Sequence, residues 1–209
     1  TATVVSNIEK DIKIDADKKA HELILRILAE TSIPILSEED HQQEFDAELQ
    51  WVVDPLDGSL NFFRGIPNCV VSIALLKNRE PILGVVYDFN REEMYTGIVG
   101  NGAWCNGKVI TTSDISEKNN AVLMTGFPSY TNYSTEALTE FVTQVQSYKK
   151  IRLIGSAALS LAYVAGGRAD AYIEKDIKIW DVAGGLAIVK SAGGTYSLST
   201  VDEKGGCSV

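Results

Sequence analysis

The sequence predicts an α+β protein in which sheets and helices are stacked in layers. Three observations predict it. Strand-like and helix-like segments mix without the strict alternation of a βαβ protein, which argues against a barrel. A single polar break at 113–120 divides the chain, and neither side contains a repeat or a low-complexity tract. At 209 residues the chain is long enough for one large core or two closely packed subdomains.

The elements follow in order. Residues 16–29, ADKKAHELILRILA, place Ala20, Leu23, Ile24, Ile27 and Leu28 on one helical face. IPIL (Ile33–Leu36) reads as a short buried strand, followed by a polar loop rich in Asp, Glu and Gln. QWVV is a second strand ending at Asp54, and SLNFFRG (59–65) opens a helix. VVSIALL and PILGVVYDF are strands joined by the turn-like KNRE. Residues 93–110 read as a hairpin, with Gly-Asn-Gly and Asn-Gly as turn signals. Beyond the break come a strand (121–127), an amphipathic helix (135–148) and another strand (150–155). An apolar helix (156–167) stops on glycine, a strand covers 169–175, and IWDVAGGLAIVKSAGG is a strand end followed by a buried helix.

Composition excludes several classes of function. The chain is 45% apolar with a net charge of −9, and no Lys/Arg cluster exceeds a pair, which disfavours nucleic-acid binding. No stretch approaches the ~18 apolar residues that span a bilayer, and no secretion signal is visible after Thr1. Cys69, Cys105 and Cys207 form no CxxC or zinc-like spacing. They read as reduced thiols packed as small hydrophobes, and so as a cytoplasmic chain.

Carboxylates at the edges of apolar elements carry the chemistry. Asp17 stands at a helix start, Glu38 and Glu39 follow PILS, Asp54 and Asp57 frame DPLDG, and Asp181 follows KIW. Along a regular strand, residues three apart point to opposite faces. Pro55 and Gly58 instead suggest a tight turn that brings Asp54 and Asp57 together. Two close carboxylates do not both stay ionised without a counter-charge, and an all-oxygen donor set suits a hard divalent cation. Each acid alone has a plainer reading: turn residue, helix cap or solvated loop. The metal explains them jointly. Backbone amides at Gly58 and Ser59 face the same corner and suggest a phosphoryl substrate.

Other motifs fail. GAWCNGKV (102–109) imitates a phosphate-binding loop, but Val109 replaces the metal-binding hydroxyl residue and the segment reads as a hairpin. Neither Asp15 nor Asp88 opens a calcium loop of the EF-hand kind. His21 and His41, the only histidines, lie outside every candidate motif, against histidine-based nucleophilic chemistry. The acids are spaced DxxDG rather than DxDG, which points to water rather than aspartate as nucleophile.

Taken together, WVVDPLDGSLNF and WDVAGGLAIVKSAGG resemble the two signatures of the inositol monophosphatase family, the lithium-sensitive, magnesium-dependent phosphomonoesterases. IDAD and SEE match two further family motifs in the expected order, and the similarity covers nearly the whole chain. The resemblance implies an α-β-α-β-α sandwich. Residues 1–115 would carry most metal ligands, and 116–209 would complete one compact unit. Glu38, Asp54 and the Leu56 carbonyl would hold a first Mg2+; Asp54, Asp57 and Asp181 would hold a second. Two or three ions per site are expected, with Mn2+ a substitute and Ca2+ and Li+ inhibitors. Water would be oriented and deprotonated through Ser59 and Asp17, with Glu38 assisting, and would attack phosphorus in line. Amides of Gly58 and Ser59 would grip the phosphate. Ala157 and Glu174, with Asp181, would meet the hydroxyls of the polyol, and Asp57 would also contact the substrate.

By the same resemblance, the chain departs from the family at Ser59, where threonine is commoner, and at Leu60, where a small polar residue is usual. It begins near the metal motifs and stops soon after the second signature, as a trimmed or unusually short chain would. A homodimer is expected. Thr125–Ser129 (TGFPS) and Glu174 resemble the inositol- and sugar-phosphate branch. The 3′-phosphoadenosine nucleotidases place Lys-Glu-Phe where Leu60-Asn61-Phe62 stand. Fructose 1,6-bisphosphatase activity is the runner-up, and a regulatory binding protein retaining the fold is the non-enzymatic alternative.

Overall fold

The computed structural model describes residues 4–8, 11–40, 45, 47–127, 133–202 and 205–209. A short antiparallel hairpin, β1 (Val4–Ile8) and β2 (Asp11–Ile14), leads into helix α1 (Asp15–Leu28). Then come β3 (Ile35–Ser37), β4 (Leu49–Asp57) and the short helix α2 (Ser59–Arg64). A meander follows: β5 (Val70–Lys77), β6 (Glu80–Asp88), β7 (Glu93–Ile98), β8 (Gly102–Cys105) and β9 (Lys108–Val109). The second half holds β10 (Val122–Thr125), α3 (Thr135–Val145), β11 (Lys150–Arg152), α4 (Ala157–Ala165) and β12 (Ala171–Ile173). It closes with β13 (Ile177–Lys178), α5 (Ile179–Ser191) and β14 (Gly206–Cys207).

Strands β3 to β9 form one seven-stranded sheet in chain order, antiparallel throughout except where β3 runs parallel to β4. A second, parallel sheet has the order β11-β10-β12. Helices α4 and α5 pack on each other between the two sheets, α1 lies against β3 and β4, and α3 covers the parallel sheet. The layers therefore follow the expected α-β-α-β-α order.

Small residues make the central layer possible. On β5, Val70, Ser72, Ala74 and Leu76 alternate inward as a half-buried strand requires. Gly84 of β6 lies so near α5 that a Cβ there would stand 2.1 Å from the Gly184 carbonyl oxygen. A Cβ on Gly185 would stand 2.4 Å from that of Leu161 on α4. Helix α5 is buried nearly all round, which its apolar sequence anticipates.

Several elements differ from expectation. Residues 93–110 form three strands and two tight turns rather than one hairpin. The strands expected over 150–155 and 169–175 shorten to three residues each, and α3 ends at Val145. On α1 the inward residue is Asp17, whereas Leu23 and Ile27 remain about half exposed, at 48% and 56%. The helix is thus placed by what its aspartate does rather than by its apolar face.

Candidate active site

β4 delivers Asp54 and Asp57 without the tight turn that Pro55 and Gly58 suggest. The strand continues through Pro55 to Asp57, and its pairing slips by one residue. Asp54 lies opposite Ser72, and Asp57 opposite Val70. Ser72 and Val70 share one face of β5, so this bulge carries both aspartates onto that face, towards α5. Proline is tolerated where the ladder is already interrupted. Gly58 then takes a left-handed conformation (φ +90°), and a Cβ there would meet the Asn68 carbonyl at 2.7 Å. Only glycine fits that corner.

Neighbouring elements bring the remaining acids. The parallel register of β3 on β4 pairs Ser37 with Val53, so Glu38 emerges beside Asp54. Its amide donates to the Val53 carbonyl at 3.1 Å, and its carboxyl is hydrogen-bonded to that of Asp54. Asp181 does not end a strand. It stands in the first turn of α5, where its Oδ2 accepts the Lys178 amide at 3.2 Å, and a helix start favours a carboxylate.

Asp57 reaches across to the second half of the chain. Its Oδ2 accepts from Ser156 Oγ at 2.6 Å and from the Ala158 amide at 2.7 Å, at the start of α4. Ser156 also caps that helix by accepting the Leu159 amide at 3.2 Å. Ala157 is buried in the same turn. Asn61 adds a second tie, donating to Asn68 and Ile154 carbonyls at 2.8 Å each.

Ser59 Oγ lies 3.0 Å from Asp17 Oδ1 and 3.0 Å from the Leu56 carbonyl oxygen. One hydroxyl hydrogen serves only one acceptor at a time, so the group can relay a proton toward the buried Asp17. Glu174 follows β12, and Tyr172 Oη donates to its Oε2 at 2.7 Å. A Cβ on Gly126 would crowd both Glu174 oxygens at 2.7 Å, so the glycine gives that carboxylate its place.

The electrostatics bind these acids into one centre. Burial, then Glu38, Asp57 and Asp181, raise the pKa of Asp54 well above the ordinary carboxylate value. Asp181 keeps some exposed surface, yet burial, Glu38 and Asp57 raise its pKa well above normal too. Burial lifts Asp57 to about 6 against the hydrogen bonds from α4. Glu174 rises to about 7, through burial opposed by the Tyr172 hydrogen bond. What favours the charged forms among these four acids is hydrogen bonding, from Ser156 and the first amides of α4 at Asp57, the Lys178 amide at Asp181 and the Tyr172 hydroxyl at Glu174.

This donor set suits a hard divalent ion: carboxylate oxygens and the Leu56 carbonyl, crowded together. Among the described residues, however, no three His, Cys, Asp or Glu side chains are already grouped to hold one. Mutual repulsion acts at longer range than a coordination bond, so these acids perturb one another without their oxygens meeting at one point. Turning a carboxylate to another rotamer costs of the order of 1 kcal/mol, less than the binding of a divalent ion returns. In donor chemistry, though not in the present placement of their side chains, the residues suit a hard divalent ion.

Some participants were not foreseen. His21 Nδ1 lies 2.9 Å from Ser37 Oγ, tying α1 to the end of β3 immediately before Glu38. Its spacing of four from Asp17 on one helix was the available signal. Ser156 carried the signal of a helix cap, but not that of a partner for Asp57. His41, Pro128 and Ser129 lie outside the described residues. Cys69 and Cys207 are buried and Cys105 half-buried, all as free thiols. Among the described residues no helix is long and apolar enough to cross a membrane.

Layered sheets that gather several carboxylates at the junction of β3, β4, α1, α4 and α5 define an α+β protein with an acidic centre. The chain belongs to the inositol monophosphatase family, whose model matches residues 2–204. A relative from Xylella fastidiosa, named Nus factor SuhB, is 41% identical over 197 residues, covering 93% of this chain and 71% of the relative. One from Aquifex aeolicus, named fructose-1,6-bisphosphatase/inositol-1-monophosphatase, is 35% identical over 193 residues, covering 91% and 73%. The solved inositol monophosphatase from Anabaena (Nostoc) sp. PCC 7120 superposes with a TM-score of 0.79 at 35% identity, covering 92% of this chain and 80% of that one.

Proposed function

We propose that the chain hydrolyses a small inositol- or sugar-phosphate with magnesium, by in-line attack of water on phosphorus. The observation that carries this reading is the convergence of Glu38, Asp54, Asp57 and Asp181, with the Asp17–Ser59 hydrogen bond beside them. Glu38, Asp54, Asp57, Asp181 and the Leu56 carbonyl would hold magnesium, which supplies charge neutralisation and Lewis acidity at the phosphate. Amides of Gly58 and Ser59 bind phosphate oxygens. Ser59 orients the attacking water and passes its proton to Asp17. Glu174, Asp181 and the first turn of α4 at Ala157 meet the hydroxyls of the leaving alcohol.

The test is phosphate release from inositol 1-phosphate, fructose 1,6-bisphosphate and adenosine 3′,5′-bisphosphate, with and without magnesium. Turnover of the first or second, lost in chelator and in Asp54→Asn, is expected. Turnover confined to the adenosine compound would overturn the substrate class, and undiminished turnover in Asp54→Asn would remove that residue from the chemistry.

A second reading, a regulatory binding protein that keeps the fold, is favoured by the name Nus factor carried by the Xylella relative. Absence of magnesium-dependent turnover on all three esters would support it.

A further inference from the structure

Glu174 borders a second space besides the acidic cleft. A cavity of about 230 Å³ opens between the C-terminal ends of β10 and β12 and the inner side of α3. Phe127, Ala137, Leu138, Phe141, Val145 and Ile173 give it apolar walls. The rings of Phe127 and Phe141 stand 4.5 Å apart between centroids, inclined by 49°, as one aromatic wall. Ligands of open sheets bind at the carboxyl ends of parallel strands, where this cavity lies.

The polar groups around it select against an anion. Lys175 is paired with Glu140 at 2.7 Å at the rim, and Glu174 and Asp176 add negative charge. Thr125 Oγ1, on the wall, already donates to the Ile173 carbonyl at 2.6 Å. The apolar walls match an uncharged apolar group. A dry cavity of roughly 150 Å³ is known to accept benzene, so this one has room for a single ring.

We propose that the cavity is a subsite for the leaving alcohol, and that the preferred ester is a polyol phosphate carrying an aromatic or compact apolar substituent. The proposal rests on the phosphatase reading above. Glu174 forms the common wall: a hydroxyl held there leaves a neighbouring substituent facing Phe127 and Phe141, while the phosphate stays over Gly58 and Ser59. Chemistry at phosphorus is unchanged; only the recognised alcohol differs.

The experiment compares inositol 1-phosphate with each of its monobenzyl ethers, on the wild type and on Ala137→Trp, which fills the cavity from α3 and replaces no acid of the centre. At least one ether is expected to exceed the plain ester about tenfold in kcat/KM, by burial of one ring. Ala137→Trp should abolish that preference and leave the plain ester unchanged. Equal kcat/KM for all esters, or a preference that survives Ala137→Trp, would overturn the subsite. If no ester is hydrolysed, calorimetric affinity in magnesium reads the same ratio. An ether preference lost in Ala137→Trp then keeps the subsite while the phosphatase reading falls, and no preference overturns the subsite itself.

Discussion

Replacing Glu174 by glutamine isolates what one buried carboxylate costs the fold. Its carboxyl is raised from 4.5 to about 7, chiefly by burial. That difference of about 2.5 pH units corresponds to about 3 kcal/mol at full ionisation. The sign follows from proton counting. Between these two values the folded state holds the proton more tightly than the unfolded state, so stability falls as pH rises. The penalty is absent well below pH 4.5 and complete above about pH 7. Glutamine keeps an oxygen to accept the Tyr172 hydroxyl but has nothing to titrate. Urea unfolding in chelator at pH 5 and pH 8 should therefore show Glu174→Gln gaining on the wild type by about 2–3 kcal/mol across the interval. Contributions from Asp54, Asp57 and Asp181 are common to both proteins and cancel to first order. A gap constant within about 0.5 kcal/mol would refute burial as the cause, because a merely steric effect of the amide does not depend on pH.

Three further outcomes are expected. Ser72 Oγ is buried with no hydrogen-bond partner among the described residues, so Ser72→Ala should stabilise by about 1 kcal/mol, read as a higher urea midpoint at unchanged slope; destabilisation would show that the hydroxyl has a partner. Gly84→Ala should cost about 3 kcal/mol or more, because its Cβ meets backbone that cannot step aside, and a stable variant would mean α5 rides higher on the sheet. His21→Leu should destabilise by about 1–2 kcal/mol by orphaning the buried Ser37 hydroxyl, whereas combining it with Ser37→Ala should cost clearly less than the two singly summed; simple additivity in the double-mutant cycle would dissolve the pair.

Much of this was legible in the sequence because its signals are local. The apolar run VVSIALL gives β5 and the apolar stretch after Asp181 gives most of α5, and the acids announce themselves by standing at the edges of apolar segments. Less was legible where tertiary contacts decide. The bulge in β4 exists only relative to β5, so Asp54–Pro55–Leu56–Asp57 reads alone as a turn. The inward direction of α1 is set by Asp17 meeting Ser59, a pair 42 residues apart, and no periodicity in 15–28 reports it. Ser156 caps a helix in any reading, but its partnership with Asp57 spans 99 residues. The short strands β11 and β12 end early because their neighbours stop pairing, not because their sequences change.

The slipped pairing between β4 and β5 makes the centre unusually intolerant of altered chain length. Adding a single residue between Asp54 and Asp57 while the bulge persists would keep every donor type, yet carry the second acid one position past Val70 and turn it to the other face of the sheet. Substitution can leave such a site weakened; a one-residue insertion would divide it between two sides of a sheet. Lineages of this chain should therefore vary freely in the loops around β4 while holding the count of residues from Asp54 to Asp57 fixed.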